Sequence, residues 1–142
     1  MKILVPIDGS KISETILETV EEIGEKFRAE LILLNVINDI NLQTGFYSND
    51  LYEYESDKSQ EILSEAKEEL SDYPYKVSLV SKNGKAYEEI IKLADEEDVD
   101  LIAMGNRGLG AFSRTLLGSV SNKVLNHSNK SVLIVKTELE DD

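Results

Sequence analysis

Five short runs of apolar residues alternate along the chain with segments in which apolar residues recur every three or four positions. The runs cover residues 3–7, 31–37, 77–80, 101–104 and 132–135. Several of them are apolar at consecutive positions, which is typical of strands covered on both faces. Strands that alternate with helices predict an α/β fold, in which a doubly wound, mostly parallel sheet of five strands carries helices on both faces.

The segments between the runs predict four helices. The first has an apolar stripe at Ile12, Ile16, Val20, Ile23 and Phe27, and Ser10 is placed to cap its start. Shorter stripes predict the other helices within residues 62–70, 86–94 and 117–125. The stretch from Asn38 to Ser56 has no such period and contains four aromatic residues among polar ones. We expect an irregular segment there, and whether it is a lid or simply mobile stays open.

Length and composition exclude several classes of function. A chain of 142 residues is the usual size of one domain, so we expect a single domain over residues 1–142. The absence of cysteine excludes disulfides, thiolate nucleophiles and Cys-ligated metals, and one histidine makes a His-based metal site improbable. A net charge of −13 disfavours binding to nucleic acid or anionic membranes. No apolar run resembles a signal peptide or a membrane span, so we expect a cytoplasmic protein.

The charge is unevenly distributed. Residues 101–137 contain no acidic side chain and carry a charge of +5, which leaves −18 for the rest of the chain. A locally cationic region could serve an anionic ligand, but compositional bias explains it as well.

Glycines cluster after the fourth apolar run. Gly105, Gly108 and Gly110 follow it directly, and Gly118-Ser119 stands at the predicted start of the fourth helix. Glycines let a backbone approach a ligand closely, and the free N–H groups at a helix start bind anionic oxygens. Phosphate is therefore the expected ligand, although the glycines could merely relieve backbone strain. The spacing fits neither the dinucleotide fingerprint nor the P-loop.

No residue is assigned a catalytic or metal-binding role. The sequence around Ser119 and Ser121 is not a nucleophile elbow, and His127 suits the end of the fourth helix. Asp8 closes the turn after the first strand, either as an ordinary turn residue or as a group at the rim of the sheet. Arg114 could reach a phosphate or face solvent.

The glycine pattern resembles the nucleotide-binding motif of the universal stress protein family. Gly105-x-x-Gly108, nine residues and then Gly118-Ser119 reproduce that motif, and similar segments occur at 5–10, 34–37, 84–86 and 131–135. Because every motif glycine and the serine are present, the resemblance implies the branch of the family that binds ATP.

The resemblance also implies roles for individual residues. Pro6 and Ile7 would shape the floor beneath the nucleoside, Asp8 would contact it, and the main chain of Val36 would meet adenine. Ribose and phosphates would be lined by Met104, Gly105, Arg107 and Gly108. The phosphate tail would lie on Gly118, Ser119, Val120 and Ser121. A Mg²⁺ or Mn²⁺ ion would be held largely through the phosphates. The chain departs from common family residues at Asn35, Asn106 and Ser131, which bears on base or partner preference.

The family's strand order, 3-2-1-4-5, would put the last strand at an edge of the sheet. An unpaired apolar edge favours pairing with a second copy, so we expect a homodimer through Val132 to Val135. The expected function is that of an ATP-binding, stress-linked regulatory module. The alternatives are a slow ATPase or phosphoryl-transfer enzyme, and a chaperone-like dimer that is indifferent to nucleotide.

Overall fold

The computed structural model describes residues 1–38, 49–106 and 117–137, which form five strands and four helices. In chain order these are β1 (Lys2–Pro6), α1 (Ile12–Phe27), β2 (Glu30–Ile37), α2 (Asn49–Glu69), β3 (Val77–Asn83), α3 (Ala86–Glu96), β4 (Leu101–Gly105), α4 (Ser119–His127) and β5 (Ser131–Val135).

All strands are parallel and lie in the order β3-β2-β1-β4-β5. This confirms the predicted α/β fold and places β5 at one edge and β3 at the other. The apolar residues of the inner strands alternate between two cores, so each strand is covered twice. Ile3 and Val5 pack with α1 and α2 on one face, and Leu4 packs with α3 and α4 on the other.

Helix α2 corrects the expected irregular segment. It begins at Asn49, so the prediction was wrong for residues 49–56, while residues 39–48 lie outside the described part of the chain. The first buried residue of α2 is Ser59, whose hydroxyl lies 2.8 Å from that of Ser81 on β3. Its first ten residues therefore have no buried face that could create an apolar period, and the helix there rests on residues such as Glu53 and Glu55 that favour helix locally.

The start of α1 differs from the prediction in its capping residue. The residue before the helix is Lys11, and no side chain caps the first turn. The Ser10 hydroxyl is buried and has no hydrogen-bond partner in the described structure. Instead the Asp8 carboxylate accepts hydrogen bonds from the Ser10 amide at 2.9 Å and from the Ser13 hydroxyl at 3.4 Å. The Asp8 carboxylate therefore holds the turn before α1 and contacts the first turn of the helix, which Ser10 was expected to cap.

None of the described helices has the length and apolar character needed to cross a membrane.

Candidate functional site at the carboxyl edge of the sheet

The strands β1 and β4 separate toward their carboxyl ends. Their pairing covers Ile3 with Leu101 and Leu4 with Ile102, whereas β1 stays paired with β2 as far as Pro6 and Leu34. From β1 the chain passes through α1 to β2 on one side, and from β4 it passes through α4 to β5 on the other. Such a change of winding direction opens a crevice beyond the strand ends, which is where doubly wound folds bind ligands.

The start of α4 borders this crevice and presents backbone donors. Gly118 precedes the helix, and the first bond within the helix runs from the Asn122 amide to the Gly118 carbonyl at 2.8 Å. The amides of Ser119, Val120 and Ser121 come before that bond, so the helix supplies no acceptor for them. The Gly118 amide differs, because it donates to the Asn106 carbonyl at 2.6 Å. Three amides and the positive end of the helix dipole therefore form a group of donors suited to an anion.

The two serines of this turn have different roles. Ser119 is exposed, whereas Ser121 is 2% exposed and its hydroxyl donates to the Gly105 carbonyl at 2.8 Å. The Ser121 proton is thus used to fasten α4 to the end of β4. For a phosphate, Ser121 can supply its amide, while Ser119 can supply both its amide and its hydroxyl.

Asn106 joins three segments at the end of β4. Its amide donates to the Val135 carbonyl at 3.1 Å, and its carbonyl accepts from Gly118. Its side-chain oxygen accepts from the Thr137 amide at 2.9 Å and from the Thr137 hydroxyl at 3.0 Å. With an exposure of 5%, Asn106 is a buried polar residue between β5 and α4.

The end of β1 is held against β2. The Ile7 amide donates to the Leu34 carbonyl at 2.8 Å, and the Asn35 side-chain amide donates to the Ile7 carbonyl at 2.9 Å. Ile7 is 2% exposed, and Pro6 before it is also buried. The turn that carries Asp8 is thereby fixed at the rim of the sheet.

Val36 turns its main chain toward the same crevice. Leu34 faces β1 through its carbonyl, and Ile37 faces β3, because its carbonyl accepts from the Gly84 amide at 2.9 Å. Backbone groups of alternate residues in a strand point to the same side, so Val36 shares the orientation of Leu34. Its N–H and C=O lie beyond the last β1–β2 pair, toward the space above Ile7.

The structure brings most of the predicted site residues to this one edge. Pro6, Ile7, Asp8, Val36, Met104, Gly105 and Gly118 to Ser121 all lie at the carboxyl ends of β1, β2 and β4 or at the start of α4. The Met104 side chain is fully buried in the core formed with α3 and α4, so only its backbone belongs to the rim. The predicted residues Arg107 and Gly108, together with Gly110 and Arg114, lie outside the described residues.

Among the described cations of the acid-free stretch, Lys130 lies away from this edge, directly before the amino end of β5. The Lys130 ammonium lies 2.6 Å from the Asp98 carboxylate, and this hydrogen bond lowers the pKa of Asp98 and raises the pKa of Lys130. The Lys123 ammonium lies 4.7 Å from the centre of the Tyr87 ring. Lys136, exposed just after β5, is at the carboxyl edge. Among the described residues, the backbone amides at the start of α4 are therefore the clearest donors that this edge offers to an anion.

The start of α4 offers N–H and O–H donors, which suit an anion rather than a metal ion. The described residues include no group of three or more His, Cys, Asp or Glu side chains that could hold a metal ion. Mg²⁺ commonly takes phosphate oxygens and water when few carboxylates are offered. The amides of α4 are donors of the kind that phosphate oxygens accept.

Sequence reasoning treated Asn35 and Asn106 only as departures from a family pattern. Both are buried, at 7% and 5% exposure, and each anchors a segment of the rim. The available signal was their position, since Asn35 interrupts the apolar run of β2 and Asn106 directly follows the apolar run of β4. A buried polar side chain there needs partners, and the loops that follow the strands supply them.

Comparisons with known proteins agree with this geometry. The model of the universal stress protein family matches residues 1–136. The universal stress protein MJ0577 of Methanocaldococcus jannaschii is 33% identical over 152 residues, which cover 95% of this chain and 94% of MJ0577. The universal stress protein YxiE of Bacillus subtilis is 32% identical over 145 residues, covering 95% of this chain and 98% of YxiE.

Solved structures show the same similarity. The structure of MJ0577 superimposes with a TM-score of 0.88 at 35% identity and covers 98% of this chain and 97% of MJ0577. A universal stress protein in complex with cAMP gives a TM-score of 0.71 at 26% identity and covers 96% of each chain. The chain belongs to the universal stress protein family.

Proposed function

We propose that this protein binds ATP at the carboxyl edge of its sheet and acts as a stress-linked regulatory module. The observation that carries the proposal is the group of three amides, from Ser119, Val120 and Ser121, that opens α4 beside the crevice between β1 and β4. A helix start with unpaired amides favours a phosphate group. A related universal stress protein with a solved cAMP complex adds support for an adenine nucleotide.

The proposed pose runs along the rim from β2 to α4. Adenine meets the outward-facing main chain of Val36, and the nucleoside lies above Pro6 and Ile7, with Asp8 beside it. The ribose and phosphates continue past Met104, Gly105, Arg107 and Gly108. The phosphate tail ends at Gly118, Ser119, Val120 and Ser121.

The proposed ion is Mg²⁺ or Mn²⁺ bound through the phosphates. It neutralises part of the triphosphate charge, which favours binding to a protein of net charge −13. The same net charge disfavours nucleic acid and anionic membranes as partners. We propose a single nucleotide-binding domain over residues 1–142 in the cytoplasm.

The proposed assembly is a homodimer through β5. Among the described strands, none pairs with the outer side of β5, and Val132, Leu133 and Ile134 are only half-buried. Pairing of Val132 to Val135 with the same strand of a second copy would satisfy the open backbone groups and cover these side chains.

Calorimetric titration with ATP and Mg²⁺, followed by a multi-turnover phosphate-release assay, tests the proposed function. Saturable binding without turnover supports a regulatory module. Sustained turnover above that of a mock purification supports the slow ATPase or phosphoryl-transfer alternative. Absence of binding heat at several temperatures would overturn the proposal in favour of a dimer that does not respond to nucleotide.

The variant Gly118→Val tests whether the phosphates bind at the start of α4. Gly118 has φ −62° and ψ 159°, an extended conformation open to any residue, so valine causes no backbone strain there. Because Gly118 is buried, urea denaturation of the variant checks that the fold persists. A branched side chain beside the three amides should abolish ATP binding. Asn126→Val is the control, because it places the same branched side chain at the exposed far end of α4, in exchange for an amide bonded only to Asn122 there, and should leave binding unchanged.

A further inference from the structure

Asn106 occupies the only position in the described structure that bonds directly to both the end of β5 and the residue before α4. Its side-chain oxygen receives both donors of Thr137, and its main chain bonds Val135 and Gly118. The side-chain bonds fix where the Asn106 peptide lies, and the Asn106 carbonyl fixes where Gly118 lies. The chain of contacts therefore runs from the end of β5, through Asn106, to the first turn of α4.

The burial of Asn106 makes these bonds costly to lose. Both Asn106 and Thr137 are 5% exposed, so little water can reach the Thr137 donors if their acceptor is removed. Removing the side chain would leave the Thr137 amide and hydroxyl without this acceptor. The segment after β5 would then lose its attachment to the end of β4, and the Asn106 carbonyl would lose a constraint on its direction.

We propose that Asn106 is a positioning residue, which orients the phosphate-binding amides of α4 and links them to the segment that leaves β5. The inference rests on the proposed function and adds a residue that would touch no ligand through its side chain. The inference predicts an effect on the phosphate end of the nucleotide only. Loss of the Asn106 side chain weakens binding of the phosphates and leaves binding of the nucleoside at β1 and β2 unchanged.

The contacts of Asn106 also predict a coupling between dimerisation through β5 and ATP binding at α4. If β5 pairs with a second copy, its exit segment is held more firmly, and the amides of α4 are held with it. Coupling between two sites is reciprocal. ATP should therefore strengthen dimerisation by the same factor as dimerisation strengthens ATP binding.

The experiment compares the affinities for ATP and for adenosine, both in the presence of Mg²⁺, in wild type and in Asn106→Ala. We expect the ATP affinity to fall about tenfold, as loss of one or two hydrogen bonds allows, while the adenosine affinity changes less than about twofold. Asn126→Ala is the control. It removes an asparagine side chain bonded to Asn122 on the exposed face of α4, and both affinities should stay as in wild type.

A second pair of variants keeps the test decisive if Asn106→Ala does not fold. Thr137→Val removes one donor to Asn106 and retains the main-chain donor, so the ATP affinity should fall about threefold with the adenosine affinity unchanged. Thr137→Ser keeps the hydroxyl and should restore the wild-type ratio.

The outcomes separate the inference from the proposed function. A wild-type protein that binds no ATP contradicts the proposed function itself. Wild-type binding of ATP with an unchanged ratio in the variants, or an equal loss of ATP and adenosine affinity, contradicts the role of Asn106 alone. A selective loss of ATP affinity supports it.

Discussion

Ser121 and Gly105 are joined by a buried hydrogen bond of 2.8 Å, from the serine hydroxyl to the glycine carbonyl. Together with the bond from Gly118 to Asn106, it fastens the first turn of α4 to two consecutive carbonyls at the end of β4. The amides proposed to bind phosphate are thus held by the sheet before any ligand arrives. A preorganised donor group lowers the cost of ordering on binding.

Ser121→Ala should lower both stability and ATP affinity. The buried Gly105 carbonyl would lose its hydroxyl donor, which typically costs about 1–2 kcal/mol of the free energy of unfolding. Urea denaturation measures this loss, and titration measures the affinity. Ser119→Ala, on the exposed side of the same turn, should leave stability nearly unchanged. Equal stabilities of the two variants would contradict the anchoring role of Ser121.

Tyr73 lies so close to Gly24 that a side chain at position 24 should destabilise the protein. The Tyr73 hydroxyl donates to the Ala29 carbonyl at 2.5 Å and occupies the space that a side chain at Gly24 would need. Gly24→Ala should therefore lower the free energy of unfolding by about 1–3 kcal/mol, as overpacking does.

A double-mutant cycle tests the cause. In the background of Tyr73→Phe, which lacks the hydroxyl, the same Gly24→Ala change should cost less. Additive losses would show that the hydroxyl is not the obstacle.

The carboxylates between α1 and α2 predict a pH dependence. Partial burial and the charges of Glu14, Glu18 and Glu65 raise the pKa of Glu69. The folded state then binds more protons than the unfolded state between the ordinary glutamate pKa of about 4.3 and the raised value. Stability from this group therefore falls as the pH rises through that window, so Glu69→Gln should stabilise the protein at pH 7.5 and have little effect near pH 3.5.

Urea denaturation at the two pH values measures this difference. Glu53→Gln, on the exposed first half of α2, is the control for removing one charge. Equal effects of the two substitutions at pH 7.5 would assign the gain to net charge alone.

The proposed dimer predicts that a charged residue on β5 prevents dimerisation. Ile134 is half-buried on the edge strand, so Ile134→Lys should place a charge in the interface and shift the protein to monomer in sedimentation velocity. Tyr54→Lys is the control on α2, where the tyrosine is 64% exposed. A monomeric wild-type protein at micromolar concentration would contradict the dimer.

The fold was predictable because its main determinants are local patterns. Strands buried on both faces, such as β2 and β4, contain consecutive apolar residues. Helices buried on one face, such as α1, contain a stripe of apolar residues every three or four positions. The first half of α2 was not predictable in this way, because it has no buried face to create a period.

The site was predictable in part for a related reason. Free amides at a helix start follow from Gly118-Ser119 and the helix that begins there, but the partners of side chains such as Asn35 and Asn106 lie on segments far apart in sequence. Asn106 bonds Thr137 across 31 positions, and no spacing along the chain indicates that contact.

The most direct test of the account is a titration of ¹⁵N-labelled protein with ATP and Mg²⁺, followed residue by residue in the amide spectrum. We predict that the largest saturable shifts occur at Ser119, Val120 and Ser121, and that adenosine moves these signals much less than those near Val36 and Asp8. Unchanged signals at the start of α4, with ATP-induced shifts confined to another surface, would contradict the central claim.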